Sequence, residues 1–213
     1  RVCLLESGGL TPDPRTQALG WGENIGHPYY SLDTSRPRAL GGSCNRWHLE
    51  VEGQCMAARM RPLDPIDFEE RKWLPYSGWP FGREHLDPYY ERAQAACDIG
   101  TSDFEPERGA PAEEEQPPFE TERLKTVLFK FGSRAPFLDF ARELPQIGNI
   151  AAFLHANVVE IEAEASSGTV RRLQAASLEG NRFRVEAGRF ILAAGAIEIP
   201  RLLLSSTGAY ASG

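Results

Sequence analysis

A chain of 213 residues, 41% hydrophobic and 25% charged, has the makeup of an ordinary globular protein with room for one large domain or two small ones. Its net charge of −7, with arginines scattered among more numerous acids, argues against the basic face of a nucleic-acid binder. No apolar stretch approaches the roughly 20 residues of a membrane-spanning helix. The longest apolar-rich run, "FILAAGAIEIP", carries Glu198 inside it.

The chain opens on "RVCLLESGG". Residues 2–6 read as a buried parallel strand, a short continuous apolar run ending in an acid, Glu6, and the glycines Gly8 and Gly9. Residues 10–37 have little periodicity and many turn formers, which predicts a long irregular loop. Gly41 and Gly42 then lead into "SCNRWHLEVEG". "DPIDFEER" reads as a short capped helix and "SGWP" as a turn. From Pro88, "PYYERAQAAC" reads as an amphipathic helix with Tyr89, Ala93, Ala96 and Cys97 on one face. Residues 101–120 are rich in Pro and Glu and read as a surface excursion, with the acidic run Glu113 to Pro118 a solvated loop.

The last third changes character. "NVVEIEAEA" alternates, with Val159, Ile161, Ala163 and Ala165 on one face and Glu160, Glu162 and Glu164 on the other, the pattern of a half-buried strand. "TVRRLQAAS" follows an "SSG" turn. "RFRVEA" follows "EGN", read as a three-residue hairpin connection containing Gly180. Together these make a three-stranded antiparallel meander. Phe190 to Ala194 then read as a fully apolar strand, followed by Gly195 and a helix carrying Leu202, Leu203 and Leu204.

Cysteines stand at 3, 44, 55 and 97. None forms a CxxC pair or lies at metal-ligand spacing from a histidine, so no metal site is expected. Free, buried or partly buried thiols in a reducing, cytoplasmic setting are the expectation. His27, His85 and His155 read as structural or solvated, and no nucleophile–base set can be argued from spacing.

Three segments carry chemistry. A strand ending in an acid and then glycines suits a ribose diol, whose two hydroxyls donate to the carboxylate while glycine lets the backbone pass close to a nucleotide. Glu6 equally fits an exposed acid at a strand end. Gly195 would stand at the carboxyl edge of a buried strand, where ligands of open α/β sheets bind. A plain strand–turn–helix has the same pattern. The pair Gly41 and Gly42 could turn several backbone N–H groups toward an anionic or electron-rich ligand, or form a flexible loop.

"LLESGG" (4–9), "RALGGSCNRW" (38–47), "SGWPFGREHLDPYYERA" (77–93) and "FILAAGAIEIPRLLLSS" (190–206) occur in this order. Together they resemble the glucose–methanol–choline (GMC) family of FAD-dependent oxidoreductases, over nearly the whole chain. The resemblance implies an α/β fold: a partial Rossmann-type FAD-binding domain on a parallel sheet, with an inserted antiparallel meander and a helical, irregular covering region. It divides the chain into a first FAD-binding part (1–60), a covering, substrate-side region (61–150) and a second FAD-binding part (151–213).

By that analogy Glu6 holds the adenosine ribose and Gly8 follows it closely. Gly41, Gly42 and Ser43 lie near the isoalloxazine or pyrophosphate, Asn45 stands beside the flavin, the backbone of Val158 meets the adenine, and Gly195 and Ala196 border the cofactor again. Sugar-oxidising relatives with covalent flavin carry a His immediately before the Trp of the glycine motif. Arg46 stands there, with His48 beyond Trp47, so FAD is expected to be non-covalent.

The implied reaction is oxidation of the CH–OH group of an alcohol or sugar by hydride transfer to FAD, with no electron acceptor specified. Other flavin or NAD-dependent Rossmann enzymes, or a non-catalytic remnant, are the alternatives. The chain contains no GxGxxG and none of the family's C-terminal catalytic region. The resemblance therefore implies a fragment that by itself binds FAD weakly and turns over nothing. It also implies that a strand, a GxGxxG turn and a helix precede Arg1.

Overall fold

The computed structural model describes residues 1–46, 49–51, 53–56, 59–100, 103–105, 124, 126–132, 136–164 and 166–206. In chain order its helices and strands are β1 (Val2–Leu5), α1 (Pro14–Gln17), α2 (Leu32–Ser35), β2 (Leu49–Val51), β3 (Gln54–Met56), β4 (Arg59–Met60), α3 (Asp87–Ala96), β5 (Lys130–Phe131), α4 (Pro136–Glu143), β6 (Ile150–Phe153), β7 (Asn157–Ala163), β8 (Val170–Ala176), β9 (Arg182–Glu186) and α5 (Gly195–Ser205). The architecture is mixed α/β. The chain forms two compact units, one of Arg1–Ser43 with Ala141–Gly213 and one of Cys44–Phe140. Among the described residues no helix is long and apolar enough to cross a membrane.

In the first unit β1 pairs in parallel with β6, from Val2 opposite Ile150 to Leu5 opposite Phe153. The strand is parallel as its run of apolar residues suggests, but it is not buried. Val2 and Cys3 are exposed, and only Leu4 and Leu5 are partly covered. Among the described residues β1 has a single neighbouring strand, and burial of a parallel strand requires layers over both faces.

The meander has the strand order β7-β8-β9, antiparallel throughout. The alternation expected of β7 breaks at one point. The register shifts between Val158 and Glu160, so Val158 turns toward the core with Ile161 while Val159 lies outside. A bulge adds one residue to one strand and so changes which side chains face inward. Ala165 lies outside the described residues. The connection expected as three residues is a five-residue loop, in which the Ser177 N–H donates to the Asn181 carbonyl and Gly180 adopts φ +89°.

Residues 190–193 form no strand, since among the described residues none of them pairs with another strand, and Ala194 (φ −84°, ψ 4°) already turns into α5. The period of two survives: Phe190 and Leu192 pack inward while Ile191 is 89% exposed. They join Leu5, Val158 and Val170 around the buried trio Ile161, Leu173 and Leu202, so β1, the meander and α5 share one core. A hydroxyl closes the helix end onto it. Ser206 Oγ donates to the Leu202 carbonyl at 2.6 Å and accepts from the Ile161 N–H at 2.9 Å.

The 10–37 segment is largely irregular, as expected, with α1, α2 and a 3-10 turn at Ala18–Gly20 set into it. One side chain organises it. The Gln17 amide donates to the carbonyls of Asp33 and Arg36, and its oxygen accepts from the Arg38 N–H at 2.9 Å.

The second unit holds the antiparallel pairs β2–β3 and β4–β5 and the helix α3. The covered face of α3 is Gln94 and Cys97, both buried, with Tyr90 and Ala93 half-covered, so Tyr90 takes the place expected of Tyr89 and Gln94 that of Ala96. Tyr90 is held by the Leu63 N–H, which donates to its hydroxyl. Tyr89 and Ala96 are exposed, with Tyr89 stacked on His85. "DPIDFEER" yields only a 3-10 turn, Pro65–Phe68, capped where the Asp64 N–H donates to the Asp67 carboxylate. "SGWP" is a series of bends around Gly78, φ +87°. Of 101–120 only 103–105 are described, and the acidic run Glu113 to Pro118 lies outside. Cys3, Cys44 and Cys97 are free, with Cys3 exposed rather than buried. Burial pushes the Cys44 and Cys97 thiols up.

The core accounts for a directional stability test. Leu202 is 5% exposed and Leu203 is 53% exposed. Leu202→Ala is expected to cost about 2–5 kcal/mol in urea unfolding and Leu203→Ala less than about 0.5 kcal/mol. Equal losses would contradict the assigned helix face.

Candidate functional site

The carboxyl ends of β1 and β6 are tied together by main-chain bonds. The Glu6 N–H donates to the Phe153 carbonyl, the Ala156 N–H to the Glu6 carbonyl and the His155 N–H to the Gly8 carbonyl, each at 2.9 Å. This fixes the Glu6–Ser7–Gly8 turn at the edge where strand carbonyls end. Within it the Glu6 carboxylate accepts the Gly8 N–H at 2.7 Å. Burial is the strongest influence on that carboxyl and raises its pKa above the ordinary 4.5. The Gly8 N–H, the Arg38 charge and the Ser7 N–H oppose it without cancelling it.

The two glycine motifs meet. Gly9 forms a parallel bridge with Ala39, and its carbonyl accepts the Leu40 N–H at 2.9 Å. A Cβ on Gly8 would stand 2.1 Å from the Arg38 carbonyl oxygen, and one on Gly9 would stand 2.9 Å from His155 Nε2. The close approach that Gly8 permits is therefore an approach of the chain to itself.

Gly41 and Gly42 take φ of +92° and +52°, which only glycine adopts readily. The Gly42 N–H closes a turn onto the Ala39 carbonyl at 2.8 Å. No described atom lies within 4 Å of where a Gly42 Cβ would be, and Ser43 is exposed. The 3-10 turn Gly42–Arg46 carries Asn45, which is half-buried and belongs to the second unit. Trp47 and His48 lie outside the described residues. The side chain of Val158 packs in the core while its main chain pairs opposite Ala175. Gly195 (φ +85°) and Ala196 open α5 and are exposed, with no described atom within 4 Å of a Gly195 Cβ.

A group that motif reasoning did not assemble links these pieces. Glu198, in the first turn of α5, is 16% exposed and receives Arg36 Nη1 at 3.1 Å, Arg38 Nη2 at 3.0 Å and Arg201 Nε at 2.7 Å. Arg38 Nη1 donates to Ser7 Oγ at 2.8 Å, and Ser7 Oγ donates to Asn157 Oδ1 at 2.6 Å. One chain of polar contacts thus runs from α5 through 36–38 to the end of β1 and the start of β7. The signal in the sequence was Glu198 itself, a lone acid inside an apolar run, which demands a partner when covered. Among the described residues no group of three or more His, Cys, Asp or Glu could hold a metal.

Burial is the largest single influence on Glu198 and pushes its carboxyl up. The Arg201 hydrogen bond and the charges of Arg38, Arg201 and Arg36 together outweigh it and hold the group below the ordinary 4.5. The linkage signs of the two acids are opposite. The native state of Glu198 resists protonation, so its contribution is present above pH 4.5 and is lost as pH falls through the lowered value. Glu6 binds its proton more readily when folded, so stability from this group rises as pH falls toward 4.5.

Glu198→Gln is expected to remove about 2–4 kcal/mol at pH 7, as when one partner of a desolvated pair is deleted. It is also expected to flatten the loss of stability below pH 4.5. Urea unfolding at a series of pH values checks both, and an unchanged acid limb would contradict the assignment.

No protein-family model matches the chain, and no curated protein matches it.

Proposed function

We propose that the chain is the cofactor-holding part of a flavin-dependent oxidoreductase that binds FAD non-covalently and oxidises the CH–OH group of an alcohol or sugar. The observation that carries this reading is Glu6. It is a partly buried carboxylate at the carboxyl edge of a parallel strand pair, with Oε1 held by the Gly8 N–H.

A desolvated acceptor in that position suits the two hydroxyl donors of a ribose. The left-handed backbone at Gly42 and Gly195 supports the reading too, since among the described residues no atom stands within 4 Å of where a side chain would begin, which lets a flat ring system approach the main chain. The residues therefore fit the ribose end and the ring faces of FAD. Gly8 contributes through the turn it closes with Glu6, its open side being taken by Arg38. When bound, FAD supplies the hydride acceptor, and the chain's own groups bind and orient it. The free thiols agree with a reducing, cytoplasmic compartment.

The test is a titration of the purified chain with FAD up to millimolar concentration, followed by the Gly8 amide in NMR, with AMP and NAD as parallel ligands. FAD and AMP are expected to shift the Gly8 amide. Glu6→Gln is expected to weaken FAD by about 1–2 kcal/mol, roughly 5- to 30-fold, the scale of charge-assisted hydrogen bonds. Equal affinity of the wild type and the variant would overturn the ribose assignment, and a clear preference for NAD would overturn the flavin.

A further inference from the structure

We infer that Arg38 is the positioning residue of this site: it holds the Glu6–Ser7–Gly8 turn in shape with its carbonyl against Gly8 and its guanidinium on Ser7, and anchors itself on Glu198. The inference rests on the reading of Glu6 as ribose acceptor for its purpose, but not for its geometry.

Three separate features make Arg38 more than a neighbour. Its N–H is held by Gln17 Oε1 at 2.9 Å. Its carbonyl lies where a Gly8 side chain would begin, 2.1 Å from an ideal Cβ. Its guanidinium, 15% exposed, spans Ser7 Oγ at 2.8 Å and Glu198 Oε1 at 3.0 Å. A planar fork can do both at once, and a lysine ammonium on a flexible stem cannot do so with the same geometry.

The charge matters as much as the shape. Glu6 accepts two hydroxyl hydrogens best as a carboxylate, because protonation turns one of its oxygens into a donor, and burial works against the charged form, with Arg38 the cation that opposes burial. The other titratable and charged groups around the turn come from four places: Asp13 from the loop before α1, His155 from the loop after β6, Arg36 from the same segment as Arg38, and Glu198 and Arg201 from α5. Arg36 and Arg201 are engaged with Glu198, which leaves Arg38 to serve both carboxylates.

The experiment follows the Glu6 side-chain carboxyl by carbon-detected NMR across a pH titration of the ligand-free 213-residue chain. It compares wild type, Arg38→Gln and Arg38→Lys, and reads the Gly8 amide in the same spectra. The glutamine variant is expected to move the Glu6 midpoint upward and to displace the Gly8 amide. The lysine variant is expected to return the midpoint toward wild type, because charge is restored, while the amide recovers only in part. An unmoved midpoint together with an unmoved amide in Arg38→Gln overturns the inference. If Arg38→Gln does not fold, Ser7→Ala removes the guanidinium's anchor on the turn together with the bond from Ser7 to Asn157, and Asn157→Ala, read in the same way, subtracts the second loss. A Gly8 amide displaced by Ser7→Ala beyond its shift in Asn157→Ala supports the inference, and one not so displaced overturns it.

FAD affinity separates this inference from the function it rests on. Arg38→Gln is expected to bind FAD about tenfold more weakly, the loss of one charge-assisted contact, with the deficit growing as pH falls. If Glu6→Gln leaves FAD affinity unchanged while Arg38→Gln still moves the Glu6 midpoint, the cofactor reading fails and the positioning role stands. If Glu6→Gln weakens FAD while Arg38→Gln leaves Glu6 and Gly8 unmoved, the positioning role fails and the cofactor reading stands.

Discussion

A single carboxylate, Glu198, holds the first unit in register with itself. Covering an acid is costly unless cations and donors replace the water it loses, and here three guanidinium groups do so. Two of them come from one short segment, 36–38, and that segment is thereby fixed against the first turn of α5. Because Arg38 also reaches Ser7, and Ser7 reaches Asn157, the same charge pairing is tied to the end of β1 and the start of β7. The apolar core beneath, Ile161, Leu173 and Leu202 with their neighbours, supplies non-directional cohesion. The polar chain supplies the direction.

The glycines divide by what they make room for. Gly8 and Gly9 admit other parts of this chain, the Arg38 carbonyl and the His155 ring. Gly42 and Gly195 have left-handed backbone with no described atom within 4 Å of where a Cβ would stand. A glycine-rich motif in a sequence does not say which of these uses applies, since both require only the missing Cβ. The first pair explains how two distant motifs fit together, and the second marks where a flat ligand could lie.

Glu6 and Glu198 show how placement separates two chemically identical groups. Both are partly covered. Glu198 faces three cations and stays charged to lower pH. Glu6 has backbone N–H groups and a share of one arginine, and burial prevails. A carboxylate left short of partners in this way has hydrogen-bonding capacity to offer a ligand, whereas a saturated one has a structural task.

The sequence by itself determined the elements whose cause is local: the apolar run of β1, the meander of β7, β8 and β9, the turn glycines, and the helix that begins at Gly195. Periodicity and turn chemistry act between residues a few positions apart and so are written along the chain. Only the tertiary structure decided the rest. The bulge after Val158 shifted the inward face of β7. Tyr90, pinned at its hydroxyl by the Leu63 N–H, belongs to the covered face of α3, and Tyr89 does not. The apolar 190–194 run is no strand, because a strand needs a ladder partner and it has none among the described residues. Arg36 and Glu198 are 162 positions apart, and nothing local to either chooses the other. That choice follows from the parallel pairing of β1 with β6 and from the shared core, which bring the two segments to one place where charge then selects its partner.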